Sequence, residues 1–185
     1  MAPMSIMNLR VLISLAAILM VAGCSTTTPT GSTYTSRGST AGPDLDVTLD
    51  NLLESSEDRS YLIWLNAVRI RDGAWDARYY LEVRYEGASD AGFMEIGPGE
   101  NLLLTVDGHV MRFRGPGSRE TRRVLGNGHY VENAVFECRA EDLRRIARSK
   151  DVKVQVNGDQ RRIYRDFKPE NFQRFRSFVL LHMGF

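Results

Sequence analysis

Alternating apolar residues in the middle of the chain, tight-turn residues between the alternating runs, and two helix-period segments late in the sequence predict an α+β domain. Its expected architecture is a mostly antiparallel β-sheet or sandwich of about seven to nine strands, with two helices near the C-terminus. The first strand is Tyr61 to Arg71 (YLIWLNAVRIR), rich in aliphatic and aromatic residues. Arg78 to Glu86 (RYYLEVRYE) alternates, with Tyr79, Leu81, Val83 and Tyr85 on one face and Tyr80, Glu82, Arg84 and Glu86 on the other. The segment Asp72-Gly73-Ala74-Trp75-Asp76 between them reads as a turn, so the two strands form a hairpin.

A second hairpin runs from Leu102 to Val106 and from Val110 to Arg114. Its Asp107-Gly108 turn supplies the two left-handed positions that a tight hairpin needs. A third pairs Thr121 to Leu125 with Tyr130 to Cys138 across Gly126-Asn127-Gly128. In its second strand Tyr130, Ala134, Phe136 and Cys138 oppose Asn133, Glu137 and Arg139, which extends a meander of antiparallel strands. Glu141 to Lys150 (EDLRRIARSK) is a helix, with acids at its start, bases at its end and Leu143, Ile146 and Ala147 as its apolar stripe. Asp151 to Asn157 and Arg161 to Phe167 form a last strand pair around Gly158-Asp159. Pro169 opens a closing helix through Met183, whose Phe172, Phe175, Phe178 and Val179 form one buried face.

The region before Tyr61 is of another kind. Met1 to Arg10 has Arg10 as its only charged side chain, and Val11 to Ala22 (VLISLAAILMVA) is apolar apart from Ser14. That run is shorter than the roughly 20 residues of a membrane-spanning helix and has the length of a signal-peptide core. Its end, Val21-Ala22-Gly23-Cys24, resembles the lipobox of bacterial lipoproteins. The resemblance implies cleavage between Gly23 and Cys24 and a diacylglycerol on the Cys24 thiol. It also implies a lasting membrane anchor, since each buried methylene contributes about 0.8 kcal/mol. Ser25, where an Asp would signal inner-membrane retention, points to the outer membrane, with the protein facing the periplasm.

From Ser25 to Pro43, 16 of 19 residues are Ser, Thr, Gly or Pro. Such a segment buries too little apolar surface to offset chain entropy, and it reads as a disordered tether of roughly 25 Å reach. The expected organisation is a signal peptide over 1–23, a lipidated cysteine and tether over 24–43, and a single domain over 44–185. Asp44 to Asp58 fits either an edge strand or a short helix, and a short helix around Leu49 to Glu54 is favoured. Residues 44–100 hold 13 acidic and 5 basic side chains (−8), and residues 101–185 hold 17 basic and 10 acidic (+7). The two halves either compensate one another or leave a basic face for an anionic partner.

The segment 130–180 resembles a recurring module of bacterial exported proteins: a helix of the type EDLRRIA, a strand VKVQVNG, a second strand and a terminal Phe-x-x-Phe-x-x-Phe helix. The resemblance implies fold and no activity. If Cys24 is lipidated, Cys138 is alone, no intramolecular disulfide forms, and its place in an apolar strand makes it a buried, inert thiol.

Catalytic signatures are missing from the sequence. His109, His129 and His182 stand apart, none with a second ligand at metal-binding spacing, so no metal and no cofactor are expected. There is no nucleophile elbow, P-loop or dinucleotide fingerprint. Acids on neighbouring strands, such as Glu82, Glu86, Glu132 and Glu137, are ones that a fold could pair for glycan hydrolysis. Trp64 and Trp75 read as core packing rather than sugar platforms. Arg112, Arg114, Arg119, Arg122 and Arg123 form the densest cationic cluster around Gly115 to Ser118, a candidate anion-docking loop or simply a charged edge. The leading expectation is a non-enzymatic binding or assembly module, joined to the membrane through lipid on Cys24. Its partner would be an envelope protein, anionic lipid or peptidoglycan, and not nucleic acid. The alternative is a tethered hydrolase acting on cell-wall or envelope substrates.

Overall fold

The computed structural model describes residues 33–36, 44–48, 50–53, 60–72 and 76–184. The expected signal peptide, Cys24, Trp75 and most of the expected tether lie outside the described residues. The described strands form two antiparallel sheets, so the α+β expectation with two late helices holds.

The seven-stranded sheet is built on the hairpin of β4 (Tyr61–Asp72) and β5 (Asp76–Gly87), paired from Tyr61↔Gly87 to Asp72↔Asp76. β2 (Asp44–Thr48) and β3 (Leu52–Leu53) flank β4, and β1 (Thr33–Ser36) forms the edge beyond β2. On the other side β9 (Tyr130–Cys138) pairs with β5, and the two-residue β8 (Arg123–Val124) pairs with β9. The four-stranded sheet has the order β11-β10-β6-β7, from β6 (Gly99–Val106), β7 (His109–Gly115), β10 (Val152–Asn157) and β11 (Arg162–Asp166). Helix α1 (Ala140–Arg148) links β9 to β10, and α2 (Pro169–His182) closes the described fold.

Four expectations change. The strands do not run as one meander, because the β6–β7 hairpin leaves the first sheet and pairs with β10 across a long sequence separation (Val106↔Val152 to Leu102↔Val156). Thr121 lies in a 3-10 turn (Arg119–Thr121) instead of a strand. The favoured helix at Leu49 to Glu54 is replaced by strand β3. Asp50 adopts a left-handed φ of 55°, which ends any helical path, and Leu52 and Leu53 pair with Trp64 and Ile63. Finally, Thr33–Ser36, inside the expected tether, pairs with β2 from Thr33↔Thr48 to Ser36↔Leu45. A Thr/Ser run gains there the backbone hydrogen bonds that the edge of β2 would otherwise leave open.

The inner faces of both sheets and the apolar stripes of both helices meet in one core. Leu65, Leu81, Val83 and Phe136 come from the large sheet, Leu102, Leu104, Val154 and Ile163 from the small one, and all are buried. Ile146 and Ala147 of α1 and Phe175, Phe178 and Val179 of α2 are each 0 % exposed and fill the space between them. Asn171 fixes the start of α2. Its Oδ1 accepts the Lys168 N–H at 2.8 Å, and its Nδ2 donates to Leu52 O and Asn51 Oδ1 at 2.9 Å each.

Candidate functional site

The five arginines expected to form an anion-docking loop do not converge. Arg112 and Arg114 stand on the outer face of β7, exposed, with Glu100 3.7 Å from Arg114. Arg119 is exposed in the 3-10 turn, whereas Arg123 is half-buried in β8, part of the other sheet. Arg122 turns inward, its Nε 3.4 Å from Glu132 Oε2 and 3.4 Å from the Ser118 hydroxyl.

Glu132 explains that inward turn. It occupies the core face of β9, opposite Tyr85, and is 0 % exposed. Its carboxylate accepts the backbone N–H groups of Glu95 at 3.1 Å and Ile96 at 3.2 Å. Glu95 itself holds a left-handed φ of 62°, which helps turn both N–H groups toward one acceptor. This carboxylate is therefore a clamp on the 93–97 segment. Glu137, opposite Tyr80, faces the other side of the sheet. Glu82 is held by Asn66 Nδ2 at 3.1 Å, and its burial raises its carboxyl above the ordinary range. Glu86 is matched by Arg84 at 3.0 Å and His129 Nδ1 at 3.1 Å. Glu132 thus faces the core, while Glu82, Glu86 and Glu137 lie on the opposite face of the sheet, where Glu82 is engaged by Asn66 and Glu86 by Arg84 and His129.

His182, at the end of α2, lies 3.5 Å from the buried Asp46, whose other partner is Arg69 at 2.5 Å. Arg69 also donates to the His182 carbonyl at 2.6 Å, so the trio fastens the helix end to β2 and β4. Burial pulls the His182 pKa down, against the upward pull of Asp46. His109 is exposed at the β6–β7 turn. Among the described residues no three His, Cys, Asp or Glu side chains gather as a metal site. Cys138 is half-buried against the core, and burial followed by the nearby Asp142 carboxylate pushes its thiol pKa far up, which disfavours the reactive thiolate. Trp64 is half-buried with the Arg84 guanidinium 4.8 Å above its ring.

A further cationic surface lies elsewhere, on the two helices. Arg144, Arg145 and Arg148 of α1 line a shallow depression of about 370 Å³ with Glu141, Ser149 and Asp107. The exposed Lys150 follows in sequence, and Arg176 of α2 reaches across to donate to Ala147 O at 2.9 Å and Ser149 O at 3.3 Å. In return, Arg144 donates to Met183 O at 3.1 Å and Gly184 O at 3.4 Å, near the C-terminal end of α2. Each helix end is thereby neutralised by an arginine of the other. One turn beyond Arg176 the surface becomes apolar, with Leu180 and Leu181 61 % and 67 % exposed. Sequence reasoning took only the buried stripes from both helices. The spacing of Arg144, Arg145 and Arg148 on the opposite side of EDLRRIARSK was the available signal, but their junction with α2 required the fold.

Comparison of the chain with protein-family models, with curated proteins and with solved structures yields no match.

Proposed function

We propose that this chain is a bacterial lipoprotein, anchored in the cell envelope through lipid on Cys24, whose folded domain is a non-enzymatic binding or assembly module facing the periplasm. The observation that carries the reading is the apolar run Val11 to Ala22 ending in Val21-Ala22-Gly23-Cys24. Among the described residues no helix is long and apolar enough to cross a membrane. A binding role is favoured because the candidate acids Glu82, Glu86 and Glu132 are each engaged by a neighbour, while charged side chains of α1 and α2 stand exposed. Metabolic labelling with a palmitate analogue tests the anchor. The intact chain is expected to take up the label and to stay with membranes through a high-salt wash. Cys24→Ala is expected to lose both properties, and an unlabelled intact chain would overturn the proposal.

A further inference from the structure

We infer that the exposed face shared by α1 and α2 is a docking surface for anionic phospholipid, on which the domain lies against the membrane that carries its anchor. The inference deepens the lipoprotein reading and rests on it.

Three observations meet at this face. The first is charge: Arg144, Arg145, Arg148, Lys150 and Arg176 are grouped there, with Glu141 and Asp107 the acids that share the depression. A cluster of this size beside a bilayer is what anionic headgroups attract, at about fivefold in binding per basic side chain. The second is the exposed pair Leu180–Leu181, one turn along α2 from Arg176. Basic side chains flanking exposed leucines on a helix match a headgroup layer over an acyl boundary. On the outer face of β7, by comparison, Arg114 lies 3.7 Å from Glu100.

The third is where the anchored chain enters the domain. α2 touches α1 on one part of its surface and β2 and β1 on another. β1 begins at Thr33, nine positions after Cys24. Even fully extended, nine residues span only about 30 Å, less than the width of the domain plus its clearance. A lipid on Cys24 would therefore limit how far the β1 edge can stand from the bilayer. The pairing of β1 takes Thr33–Ser36 out of the expected tether, which favours a docked orientation.

The test uses the full lipidated chain, reconstituted in vesicles containing phosphatidylglycerol and lipids bearing a nitroxide quencher near the headgroup. A fluorophore is placed through Leu181→Cys, or through Tyr164→Cys on the outer face of the small sheet. Cys138 stays unlabelled because its thiol is held protonated, which a chain without either substitution checks. Quenching at position 181 is expected to exceed that at position 164 several-fold. It should fall to the level at position 164 when phosphatidylglycerol is replaced by phosphatidylcholine, or when Arg145→Gln and Arg148→Gln are introduced. Equal quenching at the two positions, or indifference to lipid charge, would overturn the docking face. Failure of the anchor reads differently, since the chain would then leave the vesicles in a flotation gradient at high salt, whichever residue is labelled. In that event the face must still bring the chain to phosphatidylglycerol vesicles at low salt, and absence of such binding would overturn it as well.

Discussion

A carboxylate with no exposed surface is costly unless every lone pair has a partner, and Glu132 shows how the cost is met. Two backbone N–H groups and the Arg122 guanidinium converge on it. Glu132→Ala would leave those donors facing a cavity, so we expect a loss of about 3 kcal/mol, and roughly half that for Glu132→Gln. Urea midpoints measured at constant slope check both values, and an Ala variant as stable as the parent would refute the clamp. His182 makes a pH-dependent contribution of definite sign. Its pKa is lowered in the fold, so the unfolded chain binds its proton more readily. Stability is therefore complete above the ordinary histidine value of about 6.5 and declines as pH falls below it. The difference between the intact chain and His182→Phe should accordingly change through that window and be flat above it. His109 and His129 are common to both chains and cancel. Midpoints that differ by the same amount at every pH would show that His182 does not titrate differently on folding.

Among the elements, local pattern decided the helices and the central hairpins but failed where strands are very short. EDLRRIARSK and the phenylalanine run carry a full helical period, and α1 and α2 appear where that period predicts. The Asp107-Gly108 turn has φ values of 47° and 84°, the left-handed pair that a two-residue hairpin requires. β3, of two residues, has no period to read and exists only because β4 offers it a partner, whereas β8 was legible through its Gly126-Asn127-Gly128 turn to β9 but is shorter than expected. Close approach between elements also sets a glycine that no turn rule requires. At Gly115, where β7 passes β9, an added Cβ would run into the Val135 carbonyl oxygen and meet the Phe136 ring at 3.0 Å. Gly115→Ala should destabilise the domain by about 2 kcal/mol or more, because backbone blocks the way and no flexible side chain can yield. Thermal unfolding measures it, and an unchanged midpoint would mean the two strands can separate without penalty.

On the scale of the whole molecule, the core cluster among the described residues draws on residues from Leu53 to Val179. We expect lipid on Cys24 and the stability of the fold to be separable. Cys24→Ala should lose the membrane while its urea midpoint matches that of the parent, and a shifted midpoint would reveal an unforeseen contribution of the lipidated segment to the core. The acidic and basic halves of the sequence meet in part, as in Arg122 with Glu95 at 3.8 Å and Arg114 with Glu100 at 3.7 Å. Arg144 and Arg176 instead serve neighbouring carbonyls, and with Arg145 and Arg148 they group part of the second half's basic charge at α1 and α2.

Periodicity alone determined the fold class, the long strands and both helices, because each of these is set by residues within a few positions of one another. The expectation of an anchor at Cys24 came instead from the resemblance of four adjacent residues, Val21-Ala22-Gly23-Cys24, to a lipobox. Tertiary structure alone decided that the β6–β7 hairpin belongs to a second sheet, since its pairing with β10 joins residues far apart in the chain. The same holds for the inward path of Glu132 and Arg122, and for the dispersal of the five arginines that are neighbours only in sequence. The α1–α2 basic face could not be read from either helix, because its charges become one surface only when the two helix ends pack together and exchange their capping arginines.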